Sequence, residues 1–163
     1  MNLLKPNADE KGIDLNFHFA SNFPKHFMLD GKRVRQIIMN LIGNAVKFTP
    51  EGSVDVNVTG ELQHGIAHIK ICVSDTGIGI ETEEIGHIFE KFTQAGSSAT
   101  RVSGGTGLGL AISHKLTTAM NGELSVSSEL GKGSQFILTL PAEISVAPKD
   151  KTPALKPVIS LAA

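Results

Sequence analysis

The sequence predicts an α+β fold built as a two-layer α/β sandwich, on the evidence of two hydrophobic periods. Apolar and polar residues alternate in segments 13–19, 54–58 and 69–73, as is typical of strands with one buried face. The apolar residues of 34–46 instead recur at helical spacing. Because strands, helices and hairpins are interleaved along the chain, sheet and helices should form two packed layers.

The other elements follow from the same two periods. A short strand is expected at 27–29, and Asp30 can cap the long helix that comes after it. A short helix is expected at 81–90 and a second long helix at 108–120. The sequence ends its regular pattern with a hairpin centred on residues 131–133.

Composition limits the class of protein. The chain has 163 residues, a net charge of −1 and 40% apolar residues, which indicates one domain with a proper core. The balanced charge gives no electrostatic case for a nucleic-acid partner or for contact with an anionic membrane. The single cysteine, Cys72, excludes a disulfide within the chain and fits a reducing, cytoplasmic location. No segment is apolar for long enough to span a bilayer.

Domain boundaries follow from where the periodicity fails. After Pro141 the sequence contains three further prolines among Lys, Ala and Ser, which is typical of a linker. We therefore expect a folded domain at 13–141 and a flexible linker or tail at 142–163.

Three polar residues of the first long helix form one stripe. Asn40, Asn44 and Lys47 lie at i, i+4 and i+7, which places them on the same side of the helix. A carboxamide oxygen suits Mg²⁺, which takes its remaining ligands from water and substrate phosphates, and Lys47 can meet a phosphate oxygen. Ordinary half-exposed helix residues would give the same pattern, so the stripe alone does not distinguish a magnesium and phosphate site from an ordinary helix surface.

Asp75 ends a predicted strand and precedes the run Thr-Gly-Ile-Gly-Ile. In a pocket, its carboxylate could accept a hydrogen bond from an exocyclic adenine amine. An aspartate before glycine is also common in plain turns. The apolar Ile78 and Ile80 argue against a solvent turn, since they could flank a flat base.

A denser glycine cluster, 104–110, runs directly into the second long helix. Its glycines at 105, 107 and 109 do not match the dinucleotide or P-loop spacings. A glycine hinge that enters a helix still suits phosphate, because backbone N–H groups point out of the helix start. The alternative is a flexible loop with a tightly packed helix start.

Two aromatic residues and one arginine flank this cluster. Phe89 and Phe92 are three residues apart and could anchor a short helix in the core or latch the small, polar segment 93–104. Arg101 could reach a γ-phosphate when that segment closes, or it could be a solvated loop charge.

Taken together, these motifs resemble the N, G1, F and G2 boxes of sensor histidine kinases, in that family's order and spacing. They are Asn40-x-x-x-Asn44-Ala-x-Lys47, Asp75-x-Gly-x-Gly79, Phe89-x-x-Phe92 and Gly105-Thr-Gly-Leu-Gly-Leu110. Residues 131–136 resemble the family's last glycine motif, and the resemblance runs from about 13 to 141.

The resemblance implies a Bergerat ATP-binding fold, with a mixed, mostly antiparallel sheet and about three helices on one face. It implies ATP and Mg²⁺ as cofactors, with Asn44 on the metal and Asn40, Lys47 and Arg101 as catalytic residues. Asp75 would read the adenine amine. The other nucleotide contacts implied by motif position are Gly77, Gly79, Ile80, Phe89, Phe92, Gly105, Thr106, Gly107, Leu108, Gly109, Leu110 and Ser134.

The phosphate-accepting histidine box of the family is not found in the chain. None of the six histidines has the required helical context. The resemblance therefore implies a catalytic half, with residues 1–12 as a linker or the remnant of the histidine-helix region. Its partners would be the phosphoacceptor histidine domain and, because 93–104 looks like the ATP lid of hybrid kinases, a receiver domain.

Three alternatives remain at this point. Gyrase-type and chaperone ATPases share the fold but carry a glutamate as general base at the position of Asn40, where an amide has no useful basicity. Phosphoryl transfer to a neutral imidazole needs no such base, so the kinase is preferred. A nucleotide-binding module without transfer and a serine kinase also remain open.

Overall fold

The computed structural model describes residues 4–20, 26–63, 66–93, 107–144 and 158–160. The helices of these residues are α1 (Lys5–Lys11), α2 (Gly31–Phe48), α3 (Thr82–Ile85) and α4 (Gly109–Ala119). The strands are β1 (Asp14–Phe19), β2 (His26–Met28), β3 (Ser53–Gln63), β4 (Ile66–Asp75), β5 (Glu123–Glu129), β6 (Gly133–Ile144) and β7 (Val158–Ser160).

The strands form one mixed sheet in the order β1-β3-β4-β6-β2-β7, with β5 also paired to β6. Strand β1 is parallel to β3, and the other pairs are antiparallel. The hairpin expected around residues 131–133 is therefore present as β5 and β6, and β3 pairs with β4 in the same antiparallel manner. The predicted α+β class, with a mostly antiparallel sheet, is confirmed.

Strand register separates an apolar face of the sheet from a polar one. Phe17, Val56, Val73, Phe136 and Val126 lie in one row across five strands. The rows between are polar or mixed, as in the row through His18, Asn57, Cys72 and Ile137. Helices α1, α2 and α4 cover the apolar face, where the core residues are buried. The two layers follow from the alternation in the sequence.

Helix α2 crosses this core and begins where the sequence predicts. The Asp30 carboxylate accepts from the backbone N–H groups of Lys32 and Arg33, both at 3.2 Å, and so caps the helix. Six apolar residues of α2 are buried, and two of them, Ile37 and Leu41, have 0% exposure. Burying that side fixes the direction of the polar stripe on its border.

The end of the chain differs from the expected linker over 142–163. Strand β6 continues through residues 142–144, and residues 158–160 pair with β2. Proline has no N–H to donate, and Pro141 is tolerated inside β6 because it lies in a gap between two neighbouring strands. The pairing of β5 ends at Thr139 and that of β2 begins at Glu143, so Pro141 lies between two partners on that side of β6. Ala142 is buried, which explains why the strand does not stop at the proline.

The bounds of other strands and helices differ from the predicted ones by a few residues. The strand expected over 54–58 is longer, because β3 runs to Gln63. The helix expected at 81–90 is regular only over Thr82–Ile85 and continues as turns. Within the described ranges, no helix is both long and apolar enough to cross a bilayer.

Candidate functional site

Asn40, the first residue of the polar stripe of α2, contacts the start of α4. Asn40, Asn44 and Lys47 are all half-buried. The Asn40 amide donates to the Ser113 hydroxyl at 2.9 Å, and Gly109 packs so closely on the Asn40 oxygen that a side chain there would overlap it. The Lys47 ammonium lies 4.9 Å from the centre of the Phe48 ring. The structure thus places Asn40 beside the helix start that follows the glycine cluster.

Asp75 ends β4 with its side chain on the helix-covered face of the sheet, in the same row as Val54. Its Oδ1 atom accepts from the backbone N–H groups of Gly77 at 2.9 Å and Ser134 at 3.2 Å. These two bonds lower the pKa of Asp75, but burial outweighs them, and the net effect is a raised pKa. The carboxylate is therefore fixed in direction and only partly solvated.

The loop after Asp75 is tied to the end of α2. The backbone N–H of Ile78 donates to the Phe48 carbonyl at 3.2 Å. At Gly77, an added Cβ would lie 2.5 Å from the same carbonyl oxygen, so only glycine allows this approach. The stripe and the carboxylate consequently have a fixed spatial relation.

The turn between β5 and β6 supports this loop from the other side. The Ser128 hydroxyl lies 2.9 Å from the Ile80 backbone nitrogen, from which it accepts, and 3.0 Å from the Ser134 hydroxyl. Gly79 has φ +71° and packs on the Glu129 carbonyl. An open groove of about 320 Å³ at this edge of the sheet is lined by Asp75, Ser128 and Ser134, and also by Ser74, Ser127 and Gln135, which form one row on the polar face. Ser134, which the resemblance implies as a nucleotide contact, meets Asp75 directly through its backbone N–H.

The two phenylalanines have different environments. Phe89 stacks on the ring of His114 of α4, with centroids 5.1 Å apart, and packs against the core. Phe92 is 74% exposed and has a positive φ of 65°. Its backbone N–H donates to the Gly107 carbonyl at 3.1 Å, which joins the end of this segment to the start of α4. Core anchoring therefore applies to Phe89, while Phe92 is held by its backbone.

Leu108 and Leu110 lie at the first turn of α4, and Leu110 packs against the core. Three of the predicted contact residues, Arg101, Gly105 and Thr106, lie outside the described residues, as does nearly all of the expected lid.

The donor chemistry suits a magnesium ion that arrives with a nucleotide. Among the described residues, no group of three His, Cys, Asp or Glu side chains could hold a metal. Asn44 offers a single half-buried amide on the stripe, beside Lys47. Such a site fits Mg²⁺, which takes few protein ligands when phosphates supply the rest.

Two structural residues were missed from the sequence, Ser113 and Ser128. Each is an ordinary small polar residue. Only the fold shows that Ser113 accepts a hydrogen bond from Asn40 and that Ser128 accepts one from Ile80, in the glycine loop that follows Asp75 (residues 76–80). Ser113 lies three residues past Leu110 on the buried side of α4, with 2% exposure. A serine at a buried helical position was the available signal.

Comparison with known proteins agrees with this geometry. Residues 29–144 match the family described as histidine kinase-, DNA gyrase B-, and HSP90-like ATPase. The chain belongs to this family. The matched region begins next to the cap of α2 and ends with β6, so it contains every part of the site that the structure describes.

Similar proteins are named as sensor kinases. The chain is 44% identical over 156 residues to the autoinducer 2 sensor kinase/phosphatase LuxQ of Vibrio vulnificus strain YJ016, covering 93% of this chain and 18% of that protein. It is 40% identical over 135 residues to the signal transduction histidine-protein kinase BarA of Escherichia coli K12, covering 82% and 15%. The chain thus spans less than a fifth of these relatives.

A solved structure shows the same fold. Full-length ShkA in complex with AMPPNP aligns with a TM-score of 0.76 and 37% identity, over 90% of this chain and 29% of that chain. The predicted Bergerat architecture and the resemblance to histidine kinase catalytic domains are confirmed.

Proposed function

We propose that this chain binds Mg-ATP and transfers the γ-phosphate to a histidine of a separate phosphoacceptor domain. The observation that carries the proposal is the setting of Asp75. Its two backbone hydrogen bonds both go to Oδ1, so within the described residues Oδ2 is the oxygen left to accept from a ligand. The AMPPNP bound by ShkA, a 37% identical structure, supports an adenine nucleotide as that ligand.

The rest of the ligand would extend from Asp75 toward α2 and α4. Asn44 would hold Mg²⁺, whose charge would offset that of the phosphates, and Lys47 would meet a phosphate oxygen. Gly107 and Gly109 would bring backbone close to the triphosphate, because neither carries a side chain. Gly105, Thr106 and Arg101 would complete this end.

Transfer to histidine is favoured over hydrolysis by the chemistry of Asn40. Its amide is engaged with Ser113 and cannot take a proton from water. An imidazole needs no deprotonation before it attacks phosphorus. The chain would then act by positioning the nucleotide and by electrostatic stabilisation of the transferred phosphoryl group.

The partners follow from the relatives. The chain spans less than a fifth of LuxQ and BarA, so the phosphoacceptor and a receiver domain would be supplied by other segments or chains. A cytoplasmic location fits both the ATP substrate and the single free thiol, Cys72.

The test is transfer of label from γ-labelled ATP to a histidine-helix fragment taken from a related sensor kinase. The proposal predicts label on the fragment's histidine that is stable in base and lost in acid. Acid-stable label would instead indicate a serine kinase. Sustained phosphate release without transfer, abolished in Asn40→Ala, would indicate an ATPase, and binding alone would indicate a nucleotide-binding module.

A further inference from the structure

The carbonyl groups at the C-terminal end of α2 accept hydrogen bonds from two distant parts of the chain. The last four carbonyls of a helix have no partner within it. Here Thr49 donates its N–H and its hydroxyl to the Ala45 carbonyl, at 3.0 and 2.7 Å. The Val46 and Lys47 carbonyls accept from the Lys11 ammonium, at 2.8 and 2.9 Å. The Phe48 carbonyl accepts from Ile78.

Lys11 reaches this position from α1, outside the segment that matches the family. It is the last residue of α1, and Gly12 turns the chain into β1 in the left-handed conformation, φ +69°. Ala8, in the middle of α1, is fully buried. The ammonium also lies 3.4 Å from the Thr49 carbonyl. A cation is well placed there, because the carbonyl end of a helix is negative.

Two segments thus hold adjacent carbonyls of one helical turn. Lys11 binds the Lys47 carbonyl, and Ile78 binds the next carbonyl along, that of Phe48. Ile78 belongs to the glycine loop that fixes Asp75, while the side chain of Lys47 belongs to the polar stripe. A displacement of α1 that moves this turn would therefore change both the glycine loop after Asp75 and the polar stripe.

We propose that Lys11 is a positioning residue for nucleotide binding, which couples the placement of α1 to the arrangement of Asp75 and the α2 stripe. It touches neither nucleotide nor metal. Its ammonium holds the last turn of α2 in the conformation that the glycine loop requires. This inference rests on the proposed binding of an adenine nucleotide.

The first test compares AMPPNP affinity, with Mg²⁺, among single variants of the 163-residue chain. Lys11→Met should weaken binding about five- to tenfold at a temperature where it is fully folded. Lys11→Arg, which keeps the charge and the donors, should restore affinity to within about twofold of wild type. Lys5→Met is the matched control, because Lys5 is an exposed residue of the same helix.

The outcomes separate the coupling from simple stabilisation. If Lys11→Met lowers the melting temperature while AMPPNP affinity stays at the wild-type value, Lys11 only stabilises the packing of α1, and the proposal is wrong. Equal losses in Lys11→Met and Lys5→Met would also overturn it. If wild type itself fails to bind AMPPNP, the proposed function fails first, and that result is visible before any variant is compared.

A second test uses wild type alone and applies even if the variants do not fold. Because coupling is reciprocal, bound nucleotide must strengthen the hydrogen bonds of the Lys11 ammonium to the end of α2. Saturating AMPPNP should slow acetylation of the Lys11 amine by an N-hydroxysuccinimide ester at least about threefold, with Lys5 as the internal reference. An unchanged Lys11 rate, relative to Lys5, would contradict the coupling.

Discussion

The backbone N–H of Ser134 donates to Oδ1 of Asp75 at 3.2 Å. This bond joins the first residues of β6 to the last residue of β4. Next to it, Gly133 packs directly on the Asp75 carbonyl with φ +103°. With the second bond from the Gly77 N–H, the carboxylate is oriented by two backbone groups, and its direction does not depend on a flexible side-chain partner.

The Asp75→Asn variant should be stabilised relative to wild type as the pH rises. Because burial raises the pKa of Asp75, the folded state favours the protonated carboxyl. Its contribution to stability is complete below the ordinary carboxyl pKa and is lost as the pH rises through the raised value. The melting temperature of Asp75→Asn minus that of wild type should increase from about pH 3 to about pH 7.

Thermal unfolding at both pH values checks this prediction. A difference in melting temperature that stays constant, or that falls toward neutral pH, would show that the carboxylate is not destabilised by burial. The amide oxygen of asparagine can still accept from Gly77 and Ser134, so the loop itself should be retained.

The same variant should change base selectivity. If Asp75 accepts from an adenine amine, Asp75→Asn should weaken ATP binding about tenfold, because the amide presents donors where the base also donates. Affinity for GTP, which has no amine at that position, should change much less. Parallel titrations of the two nucleotides measure this, and equal losses would remove Asp75 from base recognition.

Gly133 and Gly131 provide a matched pair in one turn. Both have positive φ, +103° and +80°, so alanine is strained at either position, by about 1 kcal/mol. A Cβ at Gly133 would also overlap the Asp75 carbonyl, whereas at Gly131 it meets no atom within 4 Å. Urea unfolding should show Gly133→Ala to be less stable than Gly131→Ala by at least about 2 kcal/mol. Equal free energies of unfolding would contradict the close packing on Asp75.

Asn44→Asp should alter the magnesium dependence of nucleotide binding. The added charge at the proposed metal ligand should shift the Mg²⁺ concentration for half-maximal AMPPNP binding by at least about threefold. Asn57→Asp is the control, because it adds the same charge on the polar face of β3. An unchanged Mg²⁺ titration for Asn44→Asp, or an equal shift in both variants, would exclude Asn44 from the metal site.

Ser113→Ala should weaken nucleotide binding although Ser113 is buried beneath the site. Removing its hydroxyl leaves the Asn40 amide without its partner, at a cost of about 1 kcal/mol in unfolding free energy. Because Asn40 is then free to turn, AMPPNP affinity should fall about threefold. Thr118→Ala, an exposed change on the same helix, should leave affinity unaltered. If both variants bind as wild type does, Asn40 does not need this support.

The fold could be predicted from the sequence because its elements are regular and locally consistent. The alternation in β1, β3 and β4 and the helical period of α2 each indicate one element and one buried face. The Asp30 cap follows from residue chemistry alone. The path of β6 past Pro141 could not be predicted, because it depends on which strand lies beside the proline.

For the site, the sequence predicts which residues take part, but it does not predict what holds them. Asn40, Asp75 and Gly109 carry recognisable motifs. Their supports, Ser113, Ser128 and Lys11, act through hydrogen bonds between segments that are far apart in the chain. No local pattern encodes such a bond, since any small polar residue or lysine looks the same in sequence.

We propose that the α2 stripe, Asp75 and the start of α4 form one nucleotide site. The most direct test is a titration of the labelled chain with AMPPNP and Mg²⁺, followed through its backbone amide resonances. Saturable binding is expected, with the largest shifts at Asn44, Gly77, Ile78 and residues 107–109. Absence of binding under every metal condition, or shifts confined to the polar face around Asn57 and Cys72, would contradict it.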